Sequence, residues 1–260
     1  MNTNLKADMI NALTTTLLHG DCLELMKDID DGSVDMILCD LPYGTSACKW
    51  DVVIPFEPLW AQYKRIIKDN GAIVLFGSQP FTSALVMSSP ELFRYEIIWI
   101  KHQATNPMFA KKGFLKAHEN ILVFYDKLPT YNPIIEYDKP YGGFKTRLGK
   151  KVGEVYGACL DSQHRENPNG ERYPVSFVYF SNTNIKKQHP TQKPVPLMEY
   201  LIKTYANEGE LVLDNCIGSG TTAIACINTN RNYIGFELDK GYFEIAQNRI
   251  INHSSEKRLF

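Results

Sequence analysis

Two short stretches of this chain combine residue types and spacings suited to chemistry. The first is Asp40-Leu41-Pro42-Tyr43, followed by Gly44. An amine on a heteroaromatic ring is a poor nucleophile, because its lone pair is spread into the ring. Two acceptors that hold its hydrogens in tetrahedral directions localise that lone pair. The Asp40 carboxylate offers one acceptor and the Leu41 carbonyl the other. Pro42 biases Leu41 away from helical angles, so the carbonyl is held extended. Tyr43 can stack on a planar base, a contact worth ~1–3 kcal/mol.

The second stretch runs from Asp214 through Cys216, Gly218, Gly220, Thr221 and Thr222 to Glu237. An apolar run ends at Asp214, a tight glycine turn follows, and Thr221-Thr222 open a helix. Glycine lets a ligand approach the backbone, and a helix N-terminus favours a carboxylate or phosphate. Glu237 closes the next apolar run, roughly twenty residues beyond the turn, where an acid reaches ribose hydroxyls. Gly218, Gly220 and Ala223 also satisfy a dinucleotide pattern, so NAD is an alternative ligand. Against NAD, the first glycine comes several residues after Asp214, and only one βαβ unit follows. A ligand made of an amino acid and an adenosine, without pyrophosphate, fits better; S-adenosylmethionine is such a ligand.

These residues need a scaffold, and the pattern supplies one. Val34–Cys39, Ala72–Phe76, Tyr95–Ile100, Asn120–Tyr125, Glu210–Leu213 and Asn232–Phe236 read as buried strands. Leu59, Tyr63, Ile66 and Ile67 recur at helical spacing, with Asp69-Asn70-Gly71 as the stop. Helices are also predicted from Val195, over Thr221–Asn228 and over Gly241–Ile250. Strands alternating with helices indicate a mostly parallel sheet covered on both faces, whose ligands bind beyond the carboxyl ends of strands. Both chemical stretches occupy such ends.

From Asp126 to about Phe180 the period is lost, and Pro, Gly, Lys, Arg and Tyr become frequent. The expected organisation is 1–125, an inserted loop-rich region 126–180, and 181–260 completing the first half's domain. With 260 residues and 44% hydrophobic content, one full core is affordable. The net charge of -1 excludes a globally basic protein, so a nucleic-acid partner needs positive charge gathered on one face. Six cysteines lack CxxC or other metal-ligand spacing, so no metal and no disulfide is expected. No apolar stretch is long enough for a bilayer and no signal-cleavage pattern is present, so the chain reads as cytoplasmic.

Together these stretches resemble the amino-methylating DNA methyltransferases, which modify adenine at N6 or cytosine at N4. That family's tetrapeptide is typically [Asp/Asn/Ser]-Pro-Pro-Tyr; Leu41 is a departure that keeps the carbonyl. His189-Pro190-Thr191-Gln192-Lys193-Pro194 resembles the family's short motif against the cofactor, implying roles for His189, Thr191 and Lys193. Leu18–Cys22 resembles the segment ahead of the catalytic strand, with Asp21 near the adenine of the cofactor. His118–Phe124 is similar to another of its strands. Catalytic motif first and cofactor motif last is the order of the permuted β class.

The resemblance implies a Rossmann-like, seven-stranded mixed sheet of circularly permuted order, with target recognition in the insert. It implies catalysis by Asp40, Leu41, Pro42 and Tyr43 on a base flipped out of duplex DNA, with S-adenosylmethionine as methyl donor. Aspartate at the first place resembles the adenine-modifying members, so adenine N6 is expected over cytosine N4. Expected DNA contacts are Lys49, Lys111, Lys112, Lys145, Arg147, Lys150, Lys151, Arg165 and Arg172. A homodimer and a companion restriction endonuclease are compatible partners. Methylation of RNA or of a protein amide, a nicotinamide oxidoreductase and a non-catalytic DNA-binding module are the competing readings.

Overall fold

Strands β2 (Val34–Cys39) and β3 (Ile67–Gly77) show why their apolar runs are continuous. Ile37, Cys39, Ile73 and Leu75 enter one core cluster, while Met36, Leu38, Ala72, Val74 and Phe76 enter the other. Successive side chains of a strand point to opposite faces, so a sheet buried on both sides has no polar alternation to display. Helices α2 (Phe56–Ile66) and α3 (Phe81–Ser88) cover the first face through Leu59, Tyr63, Ile66, Phe81 and Leu85. Helices α4 (Val195–Tyr205) and α5 (Thr221–Asn228) cover the second through Leu197, Leu201, Ile202, Ala223 and Ala225.

The computed structural model describes residues 15–45, 48, 51–139, 141–144, 165–183 and 192–257. Its main sheet adds β1 (Thr15–His19), β4 (Phe93–Thr105), β5 (Lys116–Phe124), β10 (Phe177–Phe180), β11 (Leu211–Asp214) and β12 (Asn232–Glu237). The strand order is β1-β12-β11-β2-β3-β5-β4-β10. Only β5 runs against its neighbours β3 and β4; the other pairings are parallel. A short α1 (Cys22–Leu25) follows β1, and α6 (Lys240–Lys257) follows β12.

The sheet has eight strands where seven were expected. The extra one is β10, assigned from sequence to the insert. Four residues reading Phe-Val-Tyr-Phe lack a distinctive pattern, and only pairing with Ile98–Lys101 on β4 makes them a sheet edge. The α2 helix also ends earlier than predicted. Ile67 already pairs with Val34, and Asp69-Asn70-Gly71 forms an irregularity inside β3 rather than a helix stop. A Cβ on Gly71 would lie 2.8 Å from the Asp35 carbonyl oxygen, so this glycine serves close backbone approach.

By compactness the chain divides into residues 1–132 with 176–260, and a smaller unit 133–175. The smaller unit is narrower than the insert expected at 126–180. Asn132 N–H donates to the Thr204 carbonyl at 2.8 Å, holding that end to α4. Within the smaller unit, β6 (Glu136–Tyr137) pairs with β9 (Glu171–Arg172), and β7 (Tyr141–Phe144) with β8 (Arg165–Asn167), all antiparallel. Among the described residues no helix is long and apolar enough to cross a membrane.

Candidate active site

Four adjacent parallel strands, β1, β12, β11 and β2, bring their carboxyl ends to one edge. Each end carries an acid: Asp21 just after β1, Glu237 ending β12, Asp214 ending β11 and Asp40 just after β2. A cavity of about 590 Å³ crosses these ends and is lined by all four. It continues past β2 to Ser78 after β3, Glu119 on β5 and Lys101 on β4. β5 is antiparallel, so its amino-terminal half reaches the same edge as the other carboxyl ends.

At the β11–β12 side, the glycine turn is held by carboxylates. Gly218 lies at φ 55° and its N–H donates to Glu237 Oε2 at 2.8 Å. Asp239 N–H donates to Glu237 Oε1, also at 2.8 Å. Each oxygen keeps a further lone pair for a ligand hydroxyl. Burial raises the Glu237 pKa, opposed by those amides. Asp214 accepts from the Cys216 N–H at 3.1 Å and from the Thr222 hydroxyl. Burial pushes its pKa up to about 7. Asp21 caps α1, accepting from Leu23 N–H at 2.8 Å.

Two residues expected at the ligand do other work. Gly220, at φ 81°, is not on the cavity wall; it caps α5, and a Cβ there would lie 3.2 Å from Ala246 Cβ on α6. Its glycine is needed for the turn and for helix packing. Thr221 lines the cavity but its hydroxyl accepts from the Arg249 guanidinium at 3.0 Å. Gly218, Cys216 and Thr222 line the cavity.

At the β2 side, Asp40, Leu41, Pro42 and Tyr43 all line the cavity. The Tyr43 hydroxyl donates to Asp40 Oδ1 at 2.7 Å, and its ring lies against Phe81 with centroids 5.0 Å apart. Lys193 Nζ donates to Asp40 Oδ2 at 2.5 Å and sits 3.2 Å from Glu119 Oε2. Lys101 in turn pairs with Glu119 Oε1. Burial raises the Asp40 pKa; Lys193 pulls it down and Glu119 raises it again. For Lys193 burial works against the charge, but Asp40 and Glu119 together outweigh it and hold its pKa above the ordinary lysine value. Burial pushes the Glu119 pKa up, yet Lys193 and Lys101 bring it below the usual glutamate value.

Glu119 and Lys101 were missed as site residues. Glu119 stands in the polar first half of β5, Lys116-Ala117-His118-Glu119-Asn120, just ahead of the apolar Ile121–Phe124, so no break in an apolar pattern marked it; only its burial shows that its charge needs a partner. The partner's identity was not readable, since Lys193 is distant in sequence. His189, Thr191, Lys49, Lys145, Arg147, Lys150 and Lys151 lie outside the described residues. Arg165 falls in β8, and nothing is described of its side chain. Arg172 donates to the Lys139 carbonyl at 2.8 Å and pairs with Asp138 at 3.6 Å, so its guanidinium is turned toward its own unit. Lys111 and Lys112 are exposed on the connection between β4 and β5.

A family model described as DNA methylase, of the N6/N4 group, matches residues 34–248. The type II methyltransferase M.HpaI of Haemophilus parainfluenzae is 28% identical over 244 residues, 90% of this chain and 73% of that protein. The DNA adenine methyltransferase YhdJ of Escherichia coli is 28% identical over 266 residues, covering 94% and 86%. Among solved structures, the M1.HpyAVI–SAM complex superposes with a TM-score of 0.61 at 26% identity, covering 90% of this chain and 99% of that one. The cytosine-N4-specific PvuII DNA methyltransferase has a TM-score of 0.62 at 15% identity, covering 93% of both chains, a likeness of fold.

Proposed function

This chain belongs to the DNA methylase family, and from that premise we propose that it transfers a methyl group from S-adenosylmethionine to the N6 amine of adenine in duplex DNA. The observation that carries the reading is the adjacency of β11 and β2. It sets the glycine turn after Asp214 and the Asp40 loop on one cavity, as transfer between two ligands requires.

The residues fit the methyl donor. The cavity volume of about 590 Å³ lies in the range of small-molecule sites. Glu237, oriented by two amides, would take ribose hydroxyls, Asp21 would lie near the adenine ring, and Gly218 exposes backbone to the ligand. Bound there, S-adenosylmethionine supplies an electrophilic methyl group on a sulfonium.

On the acceptor side, a flipped adenine would place its N6 between the Asp40 carboxylate and the Leu41 carbonyl. With both hydrogens held by these two acceptors, the nitrogen lone pair would be localised and available to the methyl donor. Transfer would leave the S–C electron pair on sulfur and require one proton to leave nitrogen. Asp40 is the nearest acceptor for that proton, and burial makes its carboxylate a better base. Flipping costs a few kcal/mol, which contact with Tyr43 offsets in part. Adenine is favoured by aspartate at the first place of the tetrapeptide and by the adenine activity in the name of YhdJ.

Lys111 and Lys112, exposed beside an entirely exposed Phe114 between β4 and β5, would contact the DNA phosphates. Thr105 and Lys116, at the two ends of that connection, line the cavity. The reading extends to a companion restriction endonuclease, supported by the type II naming of M.HpaI.

The test is incubation with isotopically labelled S-adenosylmethionine and duplex DNA, followed by mass spectrometry of the released nucleosides. Labelled N6-methyl-2′-deoxyadenosine is expected. Label in N4-methyl-2′-deoxycytidine would assign the other base, and no label in DNA would refute the reading.

A further inference from the structure

Lys193, Asp40, Glu119 and Lys101 come from four separate places in the chain: the segment before α4, the end of β2, β5 and β4. They meet as a run of alternating charges in the order Asp40, Lys193, Glu119, Lys101. Lys193 is 6% exposed. The side chains of Glu119 and Lys101 are 13% and 8% exposed. A lysine so buried, in a cavity wall, needs carboxylates to keep its charge. It has two, and one of them is Asp40.

We propose that Lys193 is a positioning residue for methyl transfer, fixing the Asp40 carboxylate in the orientation that receives the base amine, with Glu119 and Lys101 holding Lys193 in place. The proposal rests on the reading of Asp40 as the amine acceptor. The ammonium occupies one lone pair of Oδ2 and the Tyr43 hydroxyl one of Oδ1. A carboxylate has about four such sites, so acceptor capacity remains and its direction is set. Pairing with Lys193 alone would draw charge away from Asp40. Glu119 shares the ammonium, and Lys101 offsets Glu119, so Asp40 keeps its character as an acceptor. Lys193 is itself anchored, since Pro194 caps α4 and Leu197 on that helix is fully buried.

This places Lys193 at the acceptor side of the cavity, whereas the resemblance of its segment points to the cofactor. The two roles separate by experiment. Asp40 bonds the Lys193 ammonium and the Tyr43 hydroxyl, and Glu119, the Cys39 thiol and Asp214 act on it electrostatically. Removing Lys193 takes away the cation that stabilises the carboxylate. Removing the charge of Glu119 takes away a neighbouring anion and leaves Lys193 to Asp40. The two changes therefore move Asp40 in opposite directions.

The experiment is single-turnover methyl transfer on duplex DNA across pH, with S-adenosylmethionine affinity by calorimetry, for K193M, K193R and E119Q. In K193M the acid limb of the rate profile should rise by about one pH unit or more, a roughly tenfold loss below it. Alkaline pH should recover activity, and cofactor affinity should be unchanged. K193R should restore most of the rate, and E119Q should move the acid limb downward. Should K193M not fold, the downward shift in E119Q tests the same arrangement. Weakened cofactor binding in K193M with an unmoved pH profile would overturn the proposal and make Lys193 a cofactor ligand. A pH-independent loss in both variants would overturn it as well. Full activity in D40A would instead refute the role of Asp40 itself.

Discussion

Asp40 and Glu237 are both acids at strand ends, yet their surroundings give them different work. Asp40 is held by a hydroxyl and an ammonium at the acceptor side. Glu237 is held by two backbone amides at the glycine turn. The proposed roles predict a clean split. D40A should abolish methyl transfer while calorimetric affinity for S-adenosylmethionine is retained; E237A should weaken that affinity, with transfer recovering at saturating cofactor. Equal loss of affinity in both would contradict the split. Asp214 differs again, because it is spent on the turn itself. Its pKa of about 7 in the fold stands above the ordinary value of 3.8. The folded state therefore binds more protons than the unfolded chain between these values, and stability falls as pH rises through this window. Replacing Asp214 by Asn removes that titration. Denaturant titrations should show wild type losing stability relative to D214N from about pH 4 toward pH 7, by at most ~1.4 kcal/mol per unit. A constant difference across that range would show that Asp214 is not so perturbed.

At the scale of elements, the site depends on turns that let helices start immediately beyond strands. The connection from β11 to α5 runs through Gly218 and Gly220, both in the left-handed region. A side chain at Gly220 carries backbone strain at φ 81° and also presses on Ala246 of α6. G220A is therefore expected to cost about 1–3 kcal/mol of stability, read from the denaturation midpoint. Since Gly220 is off the cavity wall, the rate at saturating ligands should change little. The β4–β5 pair shows a complementary logic. Its single antiparallel strand returns Glu119 to the edge where every parallel strand ends, and so completes the row of charges with Lys193 and Lys101.

For the whole molecule, charge distribution matters more than charge. A net value of -1 offers no general attraction to DNA, so binding must come from local cations. Lys111 and Lys112 are exposed beyond the edge that holds the cavity. If both meet phosphates, each removed lysine lowers the slope of log affinity against log salt by about 1. The double variant K111A/K112A should show a slope reduced by about 2, with unchanged single-turnover rate on saturating DNA. An unchanged slope would place the DNA elsewhere.

Much of this was open to sequence reading because local physics decides it. Buried parallel strands announce themselves as apolar runs, and an acid or glycine at their ends marks the ligand edge. The position of Asp40, Asp214, Gly218 and Glu237 at those ends was legible for that reason. Their order along the chain matches the permuted arrangement that the family resemblance implies. What local pattern could not decide is which strand lies beside which, or which charges meet. Lys193 and Asp40 are 153 residues apart, and a lysine ahead of a helix looks the same whether it meets a cofactor or a carboxylate. Pairing of β11 with β2, the recruitment of β10 to the sheet edge, and the burial that lifts Asp214 all arise from long-range packing. Only the closed fold excludes water from these groups, and excluded water is what makes their charges choose partners.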